Sequence, residues 1–294
     1  MSTVTPRDND EATRAWDGPL FDRFTRFRDI IVPSLEPHGR AAMDLLGVKP
    51  GDRVLDIGCG FGDSTAQLAE RVGPDSEVVG VDVAPRFVDH ARRSVNAPNA
   101  RFVVADVQLT TFDGTYDIAF SRFGTMFFGT PVAALRNVRA AMAPGGRLGM
   151  VVWRRKIAND WIYRSQTIVE RFVKRPDEYD EPTCGPGPFS MSDADTTSDI
   201  LTYAGFTDIA FHRCDIPLLI GRDVDEAVEY VMALGPAGEI LRLAGDRAAH
   251  LHADIDAALH EGLAEYAADD GRIIAPASTW IVTATAPGGM FARG

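Results

Sequence analysis

The sequence predicts an α/β fold: a mainly parallel sheet with helices on both faces. Short apolar runs alternate with amphipathic helical patterns from Arg53 to Trp153. The runs are apolar at nearly every position, as strands buried on both faces require. Helix-capping and helix-ending residues separate them at the rhythm of right-handed β–α–β units.

Taken in order, residues 1–20 read as a mobile polar arm, and Asp22 to Leu46 as helical with interruptions at Pro33 and Pro37. Val54 to Ile57 is a strand, and Ser64 to Val72 a helix closed by Gly73. Val78 to Val81 is the next strand, after which Pro85 opens a helix where its missing N–H does least harm. Phe102 to Ala105 and Tyr116 to Phe120 are the third and fourth strands. Thr130-Pro131 starts another helix, with Val132, Leu135, Val138 and Met142 at helical spacing, ended by Pro144-Gly145-Gly146. Leu148 to Trp153 is the fifth strand. Residues 154–199, rich in Pro, Gly and charge, break the rhythm, and Asp177 to Glu181 reads as a solvated loop. Phe206 to Ile216 and Thr279 to Thr285 resume strand character. Between them, 217–278 reads as mostly helical, with a capping box at Asp223 and Glu226 and a second helix marked by Ile255, Leu259, Leu263 and Tyr266. The organisation expected is an arm with helices (1–46), a ligand-binding core (47–153), a lid-like insertion (154–199) and a C-terminal part of the core (200–294) carrying a helical insertion at 217–278.

The chain has 294 residues and a net charge of −12. That acidity argues against binding nucleic acid through phosphate neutralisation and against anionic membranes. No apolar run is long enough to span a bilayer, and Met1 to Arg14 lacks the pattern of a secretory signal. Cys59, Cys184 and Cys214 are far apart and form neither a zinc motif nor a disulfide framework. The expectation is a cytoplasmic protein with no metal, compatible with a homo-oligomer.

The strongest local signal is Asp56-Ile57-Gly58-Cys59-Gly60-Phe61-Gly62, at the turn from the first strand into its helix. Its glycines allow a tight turn and close approach to a ligand, and the helix N-terminus favours an anionic group. A dinucleotide fingerprint would need glycine at 63, where Asp63 stands. The loop therefore suits a ligand bearing one carboxylate better than NAD. Two more acids end the following strands, on the side of an open sheet where ligands bind. Asp82 suits the vicinal hydroxyls of a ribose, and Asp106 an exocyclic adenine amine. The bland alternative is that each acid only caps the helix after it.

Val54 to Thr65, Val81-Asp82, Ala105 to Val107, Tyr116 to Gly124 and Met142 to Trp153 resemble the successive motifs of class I S-adenosylmethionine-dependent methyltransferases. The small-molecule branch that includes the ubiquinone and menaquinone biosynthesis methyltransferases is the nearest in pattern. The resemblance implies a Rossmann-like, seven-stranded sheet with its last strand antiparallel, and S-adenosyl-L-methionine as cofactor. It implies a cofactor site of Asp56, Gly58, Cys59, Gly60, Gly62, Asp82, Val83, Asp106, Val107 and Ser121. Gly58, Gly60 and Gly62 would face the methionine part, Asp82 the ribose, Asp106 with Val107 the adenine, and Ser121 would lie by the methionyl amino group. Ser121-Arg122-Phe123-Gly124 departs from the Pro-Pro-aromatic tetrapeptide of amine-methylating relatives.

Methyl transfer from a sulfonium needs positioning and exclusion of water, hence an apolar pocket for a small-molecule acceptor. Its candidate walls are Phe24, Phe123, Phe127, Trp153 and Trp161, with Met126, Phe128, Trp16, Phe21 and Phe27 as further aromatic or apolar candidates. Arg122 could meet an anionic substrate, an ion pair with an acid being the plainer reading. Among the histidines only His38 is placed to be tested as a general base; the catalytic group is otherwise unassigned. The leading reading is O- or C-methylation of a small, partly apolar or aromatic metabolite. The alternatives are an NAD-dependent oxidoreductase and a non-catalytic protein that binds S-adenosylmethionine or a partner.

Overall fold

The protein is described by a computed structural model over residues 10–113, 115–174 and 186–288. Its centre is a seven-stranded sheet: β1 (Val54–Ile57), β2 (Val78–Asp82), β3 (Ala100–Val104), β4 (Tyr116–Arg122), β5 (Met142–Trp153), β6 (Thr207–Cys214) and β9 (Thr279–Thr285). The spatial order is β3-β2-β1-β4-β5-β9-β6. The first five strands run parallel, and β9 runs antiparallel between β5 and β6. The order reverses between β1 and β4, which makes the crevice at their carboxyl ends the place for a ligand.

Alternate residues along the strands enter two separate cores. Leu55, Val79, Met150 and Val152 pack on one side with Ala134, Leu135 and Val138 of α6 (Pro131–Ala140). Val54, Val78 and Val151 pack on the other with Met43 and Leu46 of α3 (Arg28–Leu46) and Leu68 and Val72 of α4 (Asp63–Val72). Both faces are dry, so the strands carry unbroken apolar runs rather than alternation.

α3 runs straight through Pro33 and Pro37, where the sequence suggests interruptions. Both prolines are exposed and four residues apart, so they share the solvent face and the carbonyls they leave unpaired reach water. The opposite face, with Ile30, Ile31, Ala42, Met43 and Leu46, is buried and holds the helix together. β5 begins at Met142, because Pro144-Gly145-Gly146 continues the strand instead of ending a helix. The segment 154–199 contains α7 (Asp160–Val169), and 217–278 holds strands as well as helices. In the latter, β7 (Leu218–Gly221) and β8 (Ile273–Ala275) form a small antiparallel sheet beside α9 (Val224–Leu234), α10 (Pro236–Ala244) and α11 (His252–Ala264). Asp223 caps α9 by accepting from the Glu226 N–H, while Glu226 accepts from the backbone of Arg222. Of the arm, 10–20 is helical, in α1 (Asp10–Ala15) and a wide turn at Trp16–Leu20. Residues 1–9, the acidic run 177–181 and Cys184 lie outside the described residues.

His38 sits on the buried face of α3, fully enclosed. The Thr279 hydroxyl donates to the Cys214 carbonyl, so it accepts from Nδ1–H of His38 at 3.2 Å. Nε2 is sealed without a partner. Burial lowers the pKa of His38 to about 4. Between pH 6.5 and 4 the unfolded chain therefore binds a proton that the folded chain does not, and falling pH lowers stability through this group. The stability advantage of the wild type over His38→Asn should thus shrink by ~1–2 kcal/mol between pH 7 and pH 4.5. Denaturant unfolding of both proteins at the two pH values measures it.

Gly149 lies where α3 crosses β5. A Cβ there would stand 2.3 Å from Leu46 Cδ1 and 2.8 Å from Cγ. Gly149→Ala should destabilise the protein by ~1–3 kcal/mol through overpacking, read as a lower denaturant midpoint.

Candidate active site

The loop after β1 takes its shape from three left-handed glycines, with φ of 68° at Gly58, 52° at Gly60 and 86° at Gly62. A Cβ at Gly58 would lie 2.9 Å from the Cα of Gly124, in the loop after β4. A Cβ at Gly62 would strike Ala91 and Val95 at 2.9 Å, at the C-terminal end of α5 (Pro85–Ser94). Asp56, fully buried, ties the loop down. Its Oδ2 accepts from Ser64 at 2.8 Å and Thr65 at 2.6 Å, at the start of α4. Its Oδ1 has no partner, and burial raises its pKa to about 6.

Asp82, at the end of β2, accepts from the N–H of Gly60 at 3.0 Å and of Ala84 at 3.0 Å. It thereby holds the glycine loop and caps α5 at once. Burial still pushes its pKa up against those bonds. Asp106, beyond β3, accepts from the backbone N–H of Gln108 at 2.9 Å. Arg122 forms a half-buried ion pair with Asp63 on the first residue of α4. Its guanidinium arm lies against Gly39 of α3, where a Cβ would come within 3.1 Å, and its Nη1 has no partner. Burial pushes the Cys59 thiol up, which keeps it protonated.

These groups open into one cavity of about 400 Å³, within the range of small-molecule sites. Of the expected cofactor residues, Gly58, Cys59, Gly60, Asp82, Val83, Asp106 and Val107 line it. Asp56, Gly62 and Ser121 stand behind the lining, and Ser121 donates to the Ile57 carbonyl at 2.8 Å. The expected walls Phe24, Phe123, Phe127, Trp153 and Trp161 line the same cavity, as do Arg122, Trp16, Met126 and Phe128, whereas Phe21 and Phe27 do not. His38 does not. The rings of Phe123 and Trp153 lie 6.1 and 6.2 Å from its own, and both of them line the cavity. Phe123 has φ of 61°, a left-handed conformation unusual for an aromatic residue. It stacks on Trp153 at 4.2 Å.

The arm covers one side. Trp16 meets Phe127 at 4.8 Å and Phe24 at 5.3 Å. Asp17 accepts from the Arg86 N–H at 2.8 Å, at the second residue of α5, and the Arg86 guanidinium pairs with Asp22. Leu20, Leu35, Tyr230 and Leu234 also line the cavity, although the sequence reading did not single them out. Ala227, Tyr230, Val231 and Leu234 share the three-and-four spacing of one α9 face, a signal present in the sequence.

Residues 54–146 match the family model described as a methyltransferase domain. The chain is 40% identical over 112 residues to the demethylmenaquinone methyltransferase of Thermus thermophilus, covering 37% of this chain and 50% of that protein. It is 38% identical over 114 residues to the ubiquinone/menaquinone biosynthesis C-methyltransferase of Ectopseudomonas mendocina, covering 37% and 44%. The chain thus spans half or less of the length of these relatives. Among solved structures, phosphoethanolamine N-methyltransferase 2 of Haemonchus contortus, in complex with S-adenosyl-L-methionine, superposes with a TM-score of 0.56 at 19% identity. That match covers 97% of this chain and 61% of the other, and shows a shared fold. The switch-point crevice, the glycine loop under it and the matched segment 54–146 agree: this chain carries a methyltransferase domain, and the sheet around it has the fold of S-adenosylmethionine-dependent methyltransferases.

Proposed function

We propose that the chain transfers a methyl group from S-adenosylmethionine to a small, partly apolar or aromatic acceptor, at oxygen or carbon. One observation carries this reading. The glycine loop and strand-end acids of a cofactor site share an unbroken cavity with an aromatic wall. Across the sheet the lining changes in strand order, from Asp106 and Asp82 beyond β3 and β2, through the loop after β1, to Phe123 and Trp153 at β4 and β5.

The residues fit the cofactor. Gly58 has no room for a side chain and brings bare backbone to the crevice. The Asp82 oxygens each hold one N–H and keep lone pairs for ribose hydroxyls. In this reading Asp106 and Val107 would face the adenine, and Gly58 and Gly60 the methionine part; all four line the cavity. Gly62, Asp56 and Ser121 act from behind by fixing the loop. When bound, the cofactor supplies a methyl group already activated on a sulfonium. What remains for the chain is to orient the acceptor and exclude water. Phe123, Trp153 and Trp161 form a wall for a flat acceptor, and Trp16 and Phe24 of the N-terminal helices close the cavity against solvent. The aromatic wall contains no exposed base, which suits an acceptor atom that needs little or no deprotonation.

Calorimetry should show binding of S-adenosylmethionine and S-adenosylhomocysteine but not of NAD. Asp82→Ala should weaken S-adenosylmethionine binding by ~1–3 kcal/mol, since it leaves hydrogen-bonding partners unmatched. Unchanged affinity in that variant would remove Asp82 from the cofactor site. Deleting residues 1–20 should leave cofactor binding largely intact while lowering kcat/KM for the acceptor at least tenfold, followed as release of S-adenosylhomocysteine. Full activity in the truncated protein would take the arm out of the mechanism.

A further inference from the structure

Resting on the reading of this cavity as an acceptor site, we infer that Tyr230 recognises the acceptor: its hydroxyl donates a hydrogen bond to an oxygen carried by an uncharged aromatic molecule lying against Trp161.

Tyr230 lies on α9, in the 217–278 segment outside the matched methyltransferase domain. It lines the cavity and is only 5% exposed. Its ring is fixed on both sides, at 5.5 Å from Phe27 and 5.9 Å from Trp161. Among the described residues its hydroxyl has no hydrogen-bond partner, yet packing does not seal it as it seals Nε1 of Trp161. A buried tyrosine hydroxyl normally finds a partner. One that is held rigid, faces accessible space and meets no protein acceptor is placed for a ligand. The Trp161 indole N–H beside it also lacks a partner. That N–H is sealed by packing, so the Tyr230 hydroxyl is the donor a ligand can reach, and it calls for an oxygen acceptor on the ligand.

The surroundings define the rest of the ligand. Trp153 stands 5.9 Å from Trp161, so Phe123, Trp153, Trp161 and Tyr230 form a continuous aromatic series leading away from β4 and β5. The charged residues lining the cavity are Asp63, Asp82, Asp106 and Arg122, all at the carboxyl ends of β1 to β4 or in the turn or helix start that follows them. None belongs to α7 or α9. An ionised acceptor would lose its hydration there without a counter-charge, which is costly. Burial also holds the Tyr230 phenol well above its usual range, so it remains a donor.

The test compares wild type with Tyr230→Phe, which keeps the ring and removes only the hydroxyl. The probes are 1-naphthol, naphthalene and 1-naphthoate, measured by equilibrium dialysis with and without S-adenosylhomocysteine. Wild type should bind 1-naphthol about three- to tenfold more tightly than naphthalene, the ratio one net hydrogen bond supplies, and 1-naphthoate least well. In Tyr230→Phe the preference for 1-naphthol over naphthalene should fall to within twofold of unity. S-adenosylhomocysteine affinity should be unchanged within twofold, and Tm unchanged or higher, because no protein partner loses a bond. A preference retained in the variant, or no such preference in wild type, would overturn the inference, as would tight binding of 1-naphthoate or a Tm lowered by several degrees. Failure of wild type to bind S-adenosylhomocysteine would instead overturn the methyltransferase reading, and the dialysis without it still decides the role of Tyr230.

Discussion

Gly58 and Gly124 stand so close that neither can carry a side chain: a Cβ on Gly58 meets Gly124 Cα at 2.9 Å, and one on Gly124 meets the Ile57 carbonyl at 2.8 Å. This contact lies where the strand order reverses, between two parallel strands whose chains then part. The crevice exists because the two loops can lean on each other as bare backbone before they diverge. Much of the site follows from that approach. Gly58 and Cys59 both donate to the Val81 carbonyl, which registers the loop against β2. On the other side Phe123 enters the left-handed region, at a cost of ~1–2 kcal/mol. Its stacking on Trp153 and its N–H bond to Val151 offset that cost.

The acidity of the chain looks different at this site than in bulk composition. Several of the ionisable groups around the crevice are carboxylates, and most are tied down separately. Asp63 takes the Arg122 guanidinium, Asp56 takes two hydroxyls, and Asp82 takes two backbone N–H groups. Asp17 comes from the arm to cap α5 and draws Arg86 toward Asp22. The arm is therefore joined to the core electrostatically at the helix that follows the Asp82 strand, and by Trp16 and Phe21 packing on Phe87.

The alternation of strands and helices from 53 to 153 was legible because the central strands β1 and β2 and the end of β5 are buried on both faces, even though the edge strand β3 keeps exposed positions. The sixth and last sheet strands were legible from their β-branched and aromatic residues, although β6 is exposed or half-buried along its length. The aromatic walls could also be anticipated, since Phe123 follows β4 directly and Trp153 ends β5. His38 illustrates what local pattern cannot supply. Its place in the chain suggested a base near the site, but the helical phase of α3 turns it into the core, behind Phe123 and Trp153. Pro33 and Pro37 misled as helix breakers because their exposure depends on which face of α3 is buried. Tyr230 and the β7–β8 pair depend on how 217–278 returns over the sheet, a long-range packing that no short window contains.

The position of β9 shapes how the molecule can be made. It is the last of the described strands to leave the ribosome, yet it occupies an interior place in the sheet, and among the described strands it is the one that pairs with β6. Until 279–285 is available, the edges of β5 and β6 both stand open, a risk for wrong pairing. The sheet is therefore completed only after translation of the whole 217–278 segment. Pairings this distant in sequence close slowly. For that interval a nascent chain holds β5 and β6 without the strand that joins them.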